Sequence, residues 1–360
     1  MLTFRKALII AAVFICLIFF FQFSHSSPTA VASSAETVAY DISEEIREQP
    51  SSQDADPLQQ TLKEPPPPPT APLRDRLRYH YPYSLEGKFP SYIWQTWKYT
   101  PASLWFSQDL RLPEASWTEM NPDFVHQVIP DDILHHLIKY LYGSVPEVLE
   151  AFESMPLPVL KADFFRYLIL LARGGVYSDI DTTALKPVVD WLPDILDLST
   201  VGFVVGIEAD PDRPDWHDWY SRRIQFCQWT IQSKPGHPIL VDIVTYITQE
   251  ALRMKKAGIL KKGKMDKTIV EFTGPAAWTD AVFRYFNDPD YFNIEPGSTR
   301  NITYEDFTGQ VQIQKVGDVV VLPITSFSPG VQQMGAQDVD DPMAFVKHDF
   351  EGTWKTDPSI

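Results

Sequence analysis

Two aspartates two positions apart, Asp179 and Asp181, close the segment Val176-Tyr177-Ser178-Asp179-Ile180-Asp181. In extended chain, side chains two apart point the same way about 6.6 Å along, so both carboxylates can converge on one cation, directly or through water. Hard oxygens of this kind suit Mg²⁺ or Mn²⁺, ions that bridge protein carboxylates to a diphosphate. Taken alone, the pair describes a solvated acidic loop just as well. An EF-hand is excluded, because its loop needs glycine where Ala184 stands. Asp179-Ile180-Asp181-Thr182-Thr183 also fits the D-x-D-x-T of metal-dependent phosphatases, with Asp179 as nucleophile. Such enzymes place an unbroken apolar strand before the motif, whereas the approach here is Arg-Gly-Gly-Val-Tyr-Ser.

The elements that must position these acids are legible upstream. Leu160, Phe164, Tyr167, Leu168 and Leu171 recur at helical spacing after Pro158, and Gly174-Gly175 offers the positive φ that ends a helix. Asp163 and Arg166 share one side of that helix, where a local ion pair contributes only about 0.2–0.5 kcal/mol. Short β-type runs at Tyr92–Thr96, Phe124–Ile129, Val201–Ile207 and Val319–Leu322 alternate with helical patterns. One helix begins at Asp131-Asp132 and stops at Gly143; another follows Pro238 and runs to Gly258. The alternation predicts an α/β domain with a mostly parallel sheet flanked by helices, where ligands collect at the carboxyl ends of strands.

Composition bounds the rest. The chain has 360 residues, and its 47 acidic against 31 basic side chains give a formal charge of −16, which argues against a nucleic-acid partner. With only Cys16 and Cys227, no disulfide framework holds the fold. Residues 7–23 are almost wholly apolar, Arg5 and Lys6 precede them, and no charge follows until Glu36, so the expected division is a cytoplasmic tail at 1–6 and a single membrane anchor at 7–23. A cleaved signal peptide ending near Ala30-Val31-Ala32 is the alternative; either way the body enters the secretory pathway. Residues 24–86 are rich in Ser, Glu, Gln and Pro, including the run Pro65–Pro69, and read as a lumenal stem ahead of a catalytic domain at 87–360. Asn301-Ile302-Thr303 is a glycosylation sequon and should mark exposed surface at Asn301. The acids Asp210, Asp212, Asp215 and Asp218, interleaved with Trp216 and Trp219, read as a solvated loop. On residue type alone, His348, Trp94, Trp97 and Trp278 read as core side chains as readily as site side chains.

Helix, double glycine and acidic strand together, A-D-x-x-R-Y-x-x-L-x-x-x-G-G-x-Y-x-D-x-D from Ala162 to Asp181, resemble the signature of the glycosyltransferases grouped with the fungal initiation-specific α-1,6-mannosyltransferase. Phe89–Trp97 (FPSYIWQTW), Thr273-Gly274-Pro275 and His348–Trp354 (HDFEGTW) resemble three further segments of that family, so the likeness spans Gly87 to Trp354. Trp94 stands where relatives often carry His, which the resemblance places near the nucleotide pocket, and Thr353 stands where Ser is usual. The resemblance implies a GT-A fold, a GDP-mannose donor, retention of anomeric configuration, and a Mn²⁺ cofactor, with Mg²⁺ as the alternative. It implies Asp179, Asp181 and His348 as metal ligands, and Asp163, Arg166, Trp97 and Asp179 at the donor. Asp179, Asp181 and Arg166 would carry catalysis. Thr273, Gly274, Pro275 and Trp278 would lie toward the acceptor, expected to be an N-glycan core because the C-terminal membrane spans of the sphingolipid-mannosylating branch are not seen. It further implies a Golgi type II membrane protein, acting alone or assembled with other Golgi mannosyltransferases. A lumenal glycan-binding subunit with a vestigial site is the non-enzymatic alternative.

Overall fold

The computed structural model describes residues 65–291, 301–331 and 334–350. The anchor assigned to residues 7–23, most of the stem, and Gly352 and Trp354 of the C-terminal motif lie outside them. Among the described residues, no helix is long and apolar enough to cross a membrane.

In chain order the elements are α1 (Leu73–His80), β1 (Tyr92–Trp97), α2 (Arg111–Met120), β2 (Val125–Pro130), α3 (Asp131–Tyr142), α4 (Pro146–Ser154), α5 (Pro158–Arg173), β3 (Gly175–Ser178) and β4 (Thr182–Ala184). There follow β5 (Phe203–Ala209), β6 (Gln225–Ser233), α6 (Pro238–Lys256), α7 (Ile269–Phe272), α8 (Pro275–Phe286), β7 (Gln314–Val316), β8 (Val319–Leu322), α9 (Ile324–Phe327) and β9 (Val346–His348). Among the described residues, seven strands form one sheet in the order β2-β1-β3-β6-β5-β8-β7, and β4 pairs β9 in a second, two-stranded one. Parallel pairing joins β1 to β2 and β3, and β5 to β8; β6 runs against β3 and β5, and β7 against β8. Five of the seven strands therefore point one way, a mixed but mostly parallel α/β sheet.

The period-2 alternation of the strands sorts their side chains between two cores. Trp94, Tyr177, Phe203, Val205, Phe226, Val319 and Val321 join the cluster under the larger helices, while Ile93, Val176, Val204, Cys227, Trp229, Val320 and Leu322 join the one beneath Trp117, Trp191, Phe327 and Phe345. All nine positions of β6 are buried. The sequence pattern does not mark β6 as a strand, because Gln225 and Gln228 interrupt its apolar run. Both are tolerated inside by tertiary partners, Gln225 on Glu208 and Gln228 on the Tyr167 hydroxyl.

The packed body begins before the boundary drawn at Gly87. Leu73 and Leu77 of α1 are core residues, and the Tyr83 hydroxyl donates to Asp318, so residues 73–86 belong to the body and not to the stem. Two apolar contacts per eight residues in an arginine-rich segment carry too little periodicity to be read from sequence.

Helix α5 also differs from its predicted form. Rather than one apolar stripe, every residue from Asp163 to Leu171 is buried, because α5 lies between the sheet and α6. Its end is fixed by Gly174 at φ +63 and Gly175 at φ +94. A Cβ on Gly174 would lie 2.7 Å from Pro235 Cδ, and one on Gly175 would lie 2.6 Å from the Tyr92 carbonyl oxygen, so only glycine fits either position.

Candidate functional site

Strands β1, β3 and β5 end on the same edge of the sheet, and at that edge opens a cavity of about 440 Å³, within the roughly 300–1,000 Å³ usual for ligand pockets. Thr96 and Trp97 close β1, Asp179 follows β3, and Glu208 is the penultimate residue of β5; all four line the cavity. This is the ligand position expected of an open α/β sheet.

The backbone of Asp179 is tied down on every side. Its N–H donates to the Trp229 carbonyl at 2.8 Å, while its own carbonyl accepts from Gln95 Nε2 at 3.0 Å and from the Thr182 hydroxyl at 2.5 Å. Its side chain accepts from the Tyr177 hydroxyl at 2.8 Å and from Arg166 Nη2 at 3.2 Å. Asp181 meets His348 Nε2 at 3.2 Å, because the antiparallel pairing of β4 with β9 sets Thr182 opposite His348. The His348 ring in turn stacks on Trp229, centroids 4.5 Å apart. Two neighbouring acids and a histidine 167 positions later thus converge.

Asp179, Asp181 and His348 each bring one ligand atom within 4.8 Å of the others. Two carboxylates and one imidazole, with His348 Nε2 at 3.2 Å from Asp181, fit a divalent cation. A nitrogen among the donors favours Mn²⁺ over Mg²⁺, which prefers oxygen throughout.

Asp163 and Arg166 are not a surface pair: each is 4% exposed, and both line the cavity. Arg166 Nη2 reaches Asp163 Oδ1 at 3.0 Å and Asp179 Oδ1 at 3.2 Å, and its guanidinium lies 5.4 Å over the Tyr177 ring. Its Nε and Nη1 are buried with no partner. An unpaired buried guanidinium nitrogen is costly, so two such donors on one cavity-lining side chain suit an anionic ligand. Burial opposes the charge, but Asp179 and Asp163 hold Arg166 protonated well above the usual range. Burial also pushes Asp163 up to about 6, against the pull of Arg166 and of the Thr273 hydroxyl that donates to it at 2.7 Å. The Asp179 carboxyl is likewise raised by burial, in opposition to Arg166.

Other expected site residues divide. Trp97, Gly274 and Pro275 line the cavity, and buried Thr273 acts through Asp163. Trp278 does not reach it: fully buried, it stacks on Tyr167 at 5.3 Å and donates to the Cys227 carbonyl, a core aromatic. Trp94, expected near a nucleotide, also turns inward, donating its indole N–H to the Gly174 carbonyl at 2.9 Å. Asn301 is exposed. Asp210, read as part of a solvated loop, is buried and accepts from Arg223, Thr308 and the Gly309 N–H. Sequence reasoning missed Lys98, Asp131, Glu208, Gln228 and Trp229, all of which line the cavity. Only the carboxyl-edge rule could have found Glu208, at the end of a strand predicted one residue short of it.

A model of the glycosyltransferase sugar-binding region containing the DXD motif matches residues 108–197. The initiation-specific α-1,6-mannosyltransferase of Candida albicans is 51% identical over 296 residues, covering 79% of this chain and 77% of that one. Its namesake in Schizosaccharomyces pombe is 44% identical, covering 79% and 68%, and that in Saccharomyces cerevisiae is 35% identical, covering 79% and 82%. With the acids, the arginine and the histidine assembled at one sheet edge and relatives this similar along most of their length, the chain belongs to the family of the initiation-specific α-1,6-mannosyltransferases.

Proposed function

We propose that this protein moves mannose from GDP-mannose to an N-linked oligomannose core in α-1,6 linkage, with retention of configuration, in a fold of GT-A type. The observation that carries the reading is the pair of partnerless buried donors on Arg166 beside the Asp179–Asp181–His348 group. A sugar diphosphate fills both needs: its phosphate oxygens accept from Arg166 Nε and Nη1, and its remaining charge calls for a cation. Membership of the family excludes the phosphatase reading, and a non-catalytic subunit has no use for so costly an arrangement of buried charge.

In the reaction, Asp179, Asp181 and His348 would hold Mn²⁺, which when bound supplies positive charge to the diphosphate. Arg166 donates to the oxygen that gains charge as the sugar leaves, from a position fixed in advance by Asp163, Asp179 and Tyr177, so little reorganisation is needed. Asp163, oriented by Thr273, offers its carboxylate to hydroxyls of the donor sugar. Trp97, half-buried at the end of β1, gives a flat face to the nucleobase or sugar. The setting we propose is the Golgi lumen, reached through the anchor at residues 7–23; what supports it is the apolar run and its flanking basic residues.

The test is incubation of the purified lumenal part with labelled GDP-mannose, Mn²⁺ and an oligomannose acceptor. Labelled mannosyl product is expected, and linkage analysis should return an α-1,6 bond. Phosphate release without transfer, or no product with an intact donor-binding isotherm, would overturn the reading.

A further inference from the structure

The cavity carries a carboxylate that the reaction above does not use. Glu208 stands on β5, separated from β3 by the single strand β6 and therefore about 10 Å from the strand that presents Asp179. The pairing of β5 with β6 slips twice around it, between Val205 and Ile207 and again between Ile207 and Ala209. Bulges of this kind re-aim a side chain at the rim of a sheet. Here the half-buried carboxylate is held by two neutral donors, one on each oxygen: Gln225 Nε2 at 3.1 Å from Oε2, and the indole N–H of Trp229 at 3.3 Å from Oε1.

The other acids of the cavity are committed. Asp163 and Asp179 share Arg166, Asp181 meets His348, and Asp131 heads α3. Glu208 makes no ion pair among the described residues. A carboxylate has about four lone-pair sites, so two remain for a ligand. It is therefore an oriented hydrogen-bond acceptor without a cation, on the side of the DXD strand away from β1, in a cavity whose other side chains account for the diphosphate. A sugar hydroxyl supplies the missing donor.

Resting on the transferase reading above, we propose that Glu208 receives the attacking hydroxyl of the acceptor sugar and takes its proton during transfer. The acceptor oxygen forms a bond to C1 of the donor hexose on the same face from which the diphosphate oxygen departs, so configuration is kept as the bond from C1 to that oxygen breaks. The bonding pair leaves with the diphosphate, and the proton passes from the acceptor oxygen to Glu208. Trp229 is the positioning residue: its indole N–H fixes Glu208 while its ring supports His348.

The test compares wild type with Glu208→Gln and Glu208→Asp, using GDP-mannose, Mn²⁺ and an oligomannose acceptor. Glu208→Gln should lower kcat for transfer by at least about 100-fold while binding of GDP-mannose, read by calorimetry, changes by less than about threefold. Slow hydrolysis of the donor by water should persist, and Glu208→Asp should recover part of the transfer rate. Melting temperatures within a few degrees of wild type confirm folding of both variants. A Glu208→Gln variant that keeps more than about a tenth of the transfer rate overturns the proposal, as does equal loss of transfer and donor binding, which would make the residue structural. Azide rescue of Glu208→Ala with formation of a mannosyl azide would also overturn it, in favour of a covalent nucleophile. If wild type itself binds no GDP-mannose, the donor reading has failed, which is a separate result.

Discussion

At the scale of single residues, the site depends on one guanidinium that holds Asp163 and Asp179 and, in the proposed reaction, a phosphate as well. Arg166→Lys keeps the charge but loses the planar fork, so it cannot serve Asp163, Asp179 and a phosphate together. We expect kcat/KM for GDP-mannose to fall at least about 100-fold in steady-state assays, with a smaller loss of stability than in Arg166→Ala, where two acids are left uncompensated at about 3–5 kcal/mol. If the proposed site holds Mn²⁺, adding the ion should raise the melting temperature of wild type, and Asp181→Ala should abolish both that rise and activity; a rise that survives would move the metal elsewhere. A third expectation concerns acid stability. His126 lies 2.9 Å from Gln95 Oε1 and 2.8 Å from the Thr118 hydroxyl, and burial holds its pKa down to about 4. The folded state thus favours neutral imidazole, while the unfolded chain protonates near 6.5. Stability is fully present above that pH and is lost as pH falls toward about 4, by up to roughly 3 kcal/mol. Chemical denaturation at pH 7 and 4.5 should show the loss in wild type and a smaller one in His126→Gln. Asp179 and Asp181 could be singled out by their spacing at a strand end, whereas Asp163, Arg166 and His348 entered the site only through the family resemblance; all five line one cavity. Glu208 and Trp229 were not legible in the sequence, since nothing local separates a carboxylate at a strand end from a solvated one, and a tryptophan under a histidine is visible only once distant strands pair.

At the scale of elements, the joint between α5 and β3 sets the distance from Arg166 to Asp179, and it has no spare volume. Gly174→Ala places a methyl group against Pro235 and Ser233 in a backbone conformation that costs a side chain about 1–3 kcal/mol. We expect a destabilisation of at least that size by denaturant titration, with activity lost in parallel as the helix end shifts. The β4–β9 pair is the other decisive joint, because together with the Asp349 N–H on the Asp181 carbonyl it carries His348 to Asp181. The strand positions of β1, β2, β5 and β8 were predicted to within one or two residues. Strands β4, β7 and β9 are three residues each, too short for any period to show, and β6 was hidden by its glutamines. The turn at Gly174-Gly175 was the most reliable signal in the chain, because its demand on the backbone is local.

At the scale of the whole molecule, composition misplaced one boundary. A fragment beginning at residue 65 keeps α1, whereas one beginning at Gly87 lacks Leu73 and Leu77 and leaves Asp318 without the Tyr83 hydroxyl. Burying each leucine is worth about 1.5–3 kcal/mol, so the shorter fragment should melt many degrees lower, or fail to fold, in a side-by-side thermal scan. The sheet has a further consequence for change over time. The floor of the cavity is drawn partly from the middle of β6, whose nine residues are all enclosed and bonded to neighbours on both sides, while its mouth includes the exposed side chains of Lys98, Pro158 and Phe350. A laboratory selection for new acceptors should therefore accumulate its successful substitutions around the mouth and leave the floor untouched, so that preference diverges while the bond-forming machinery is inherited intact.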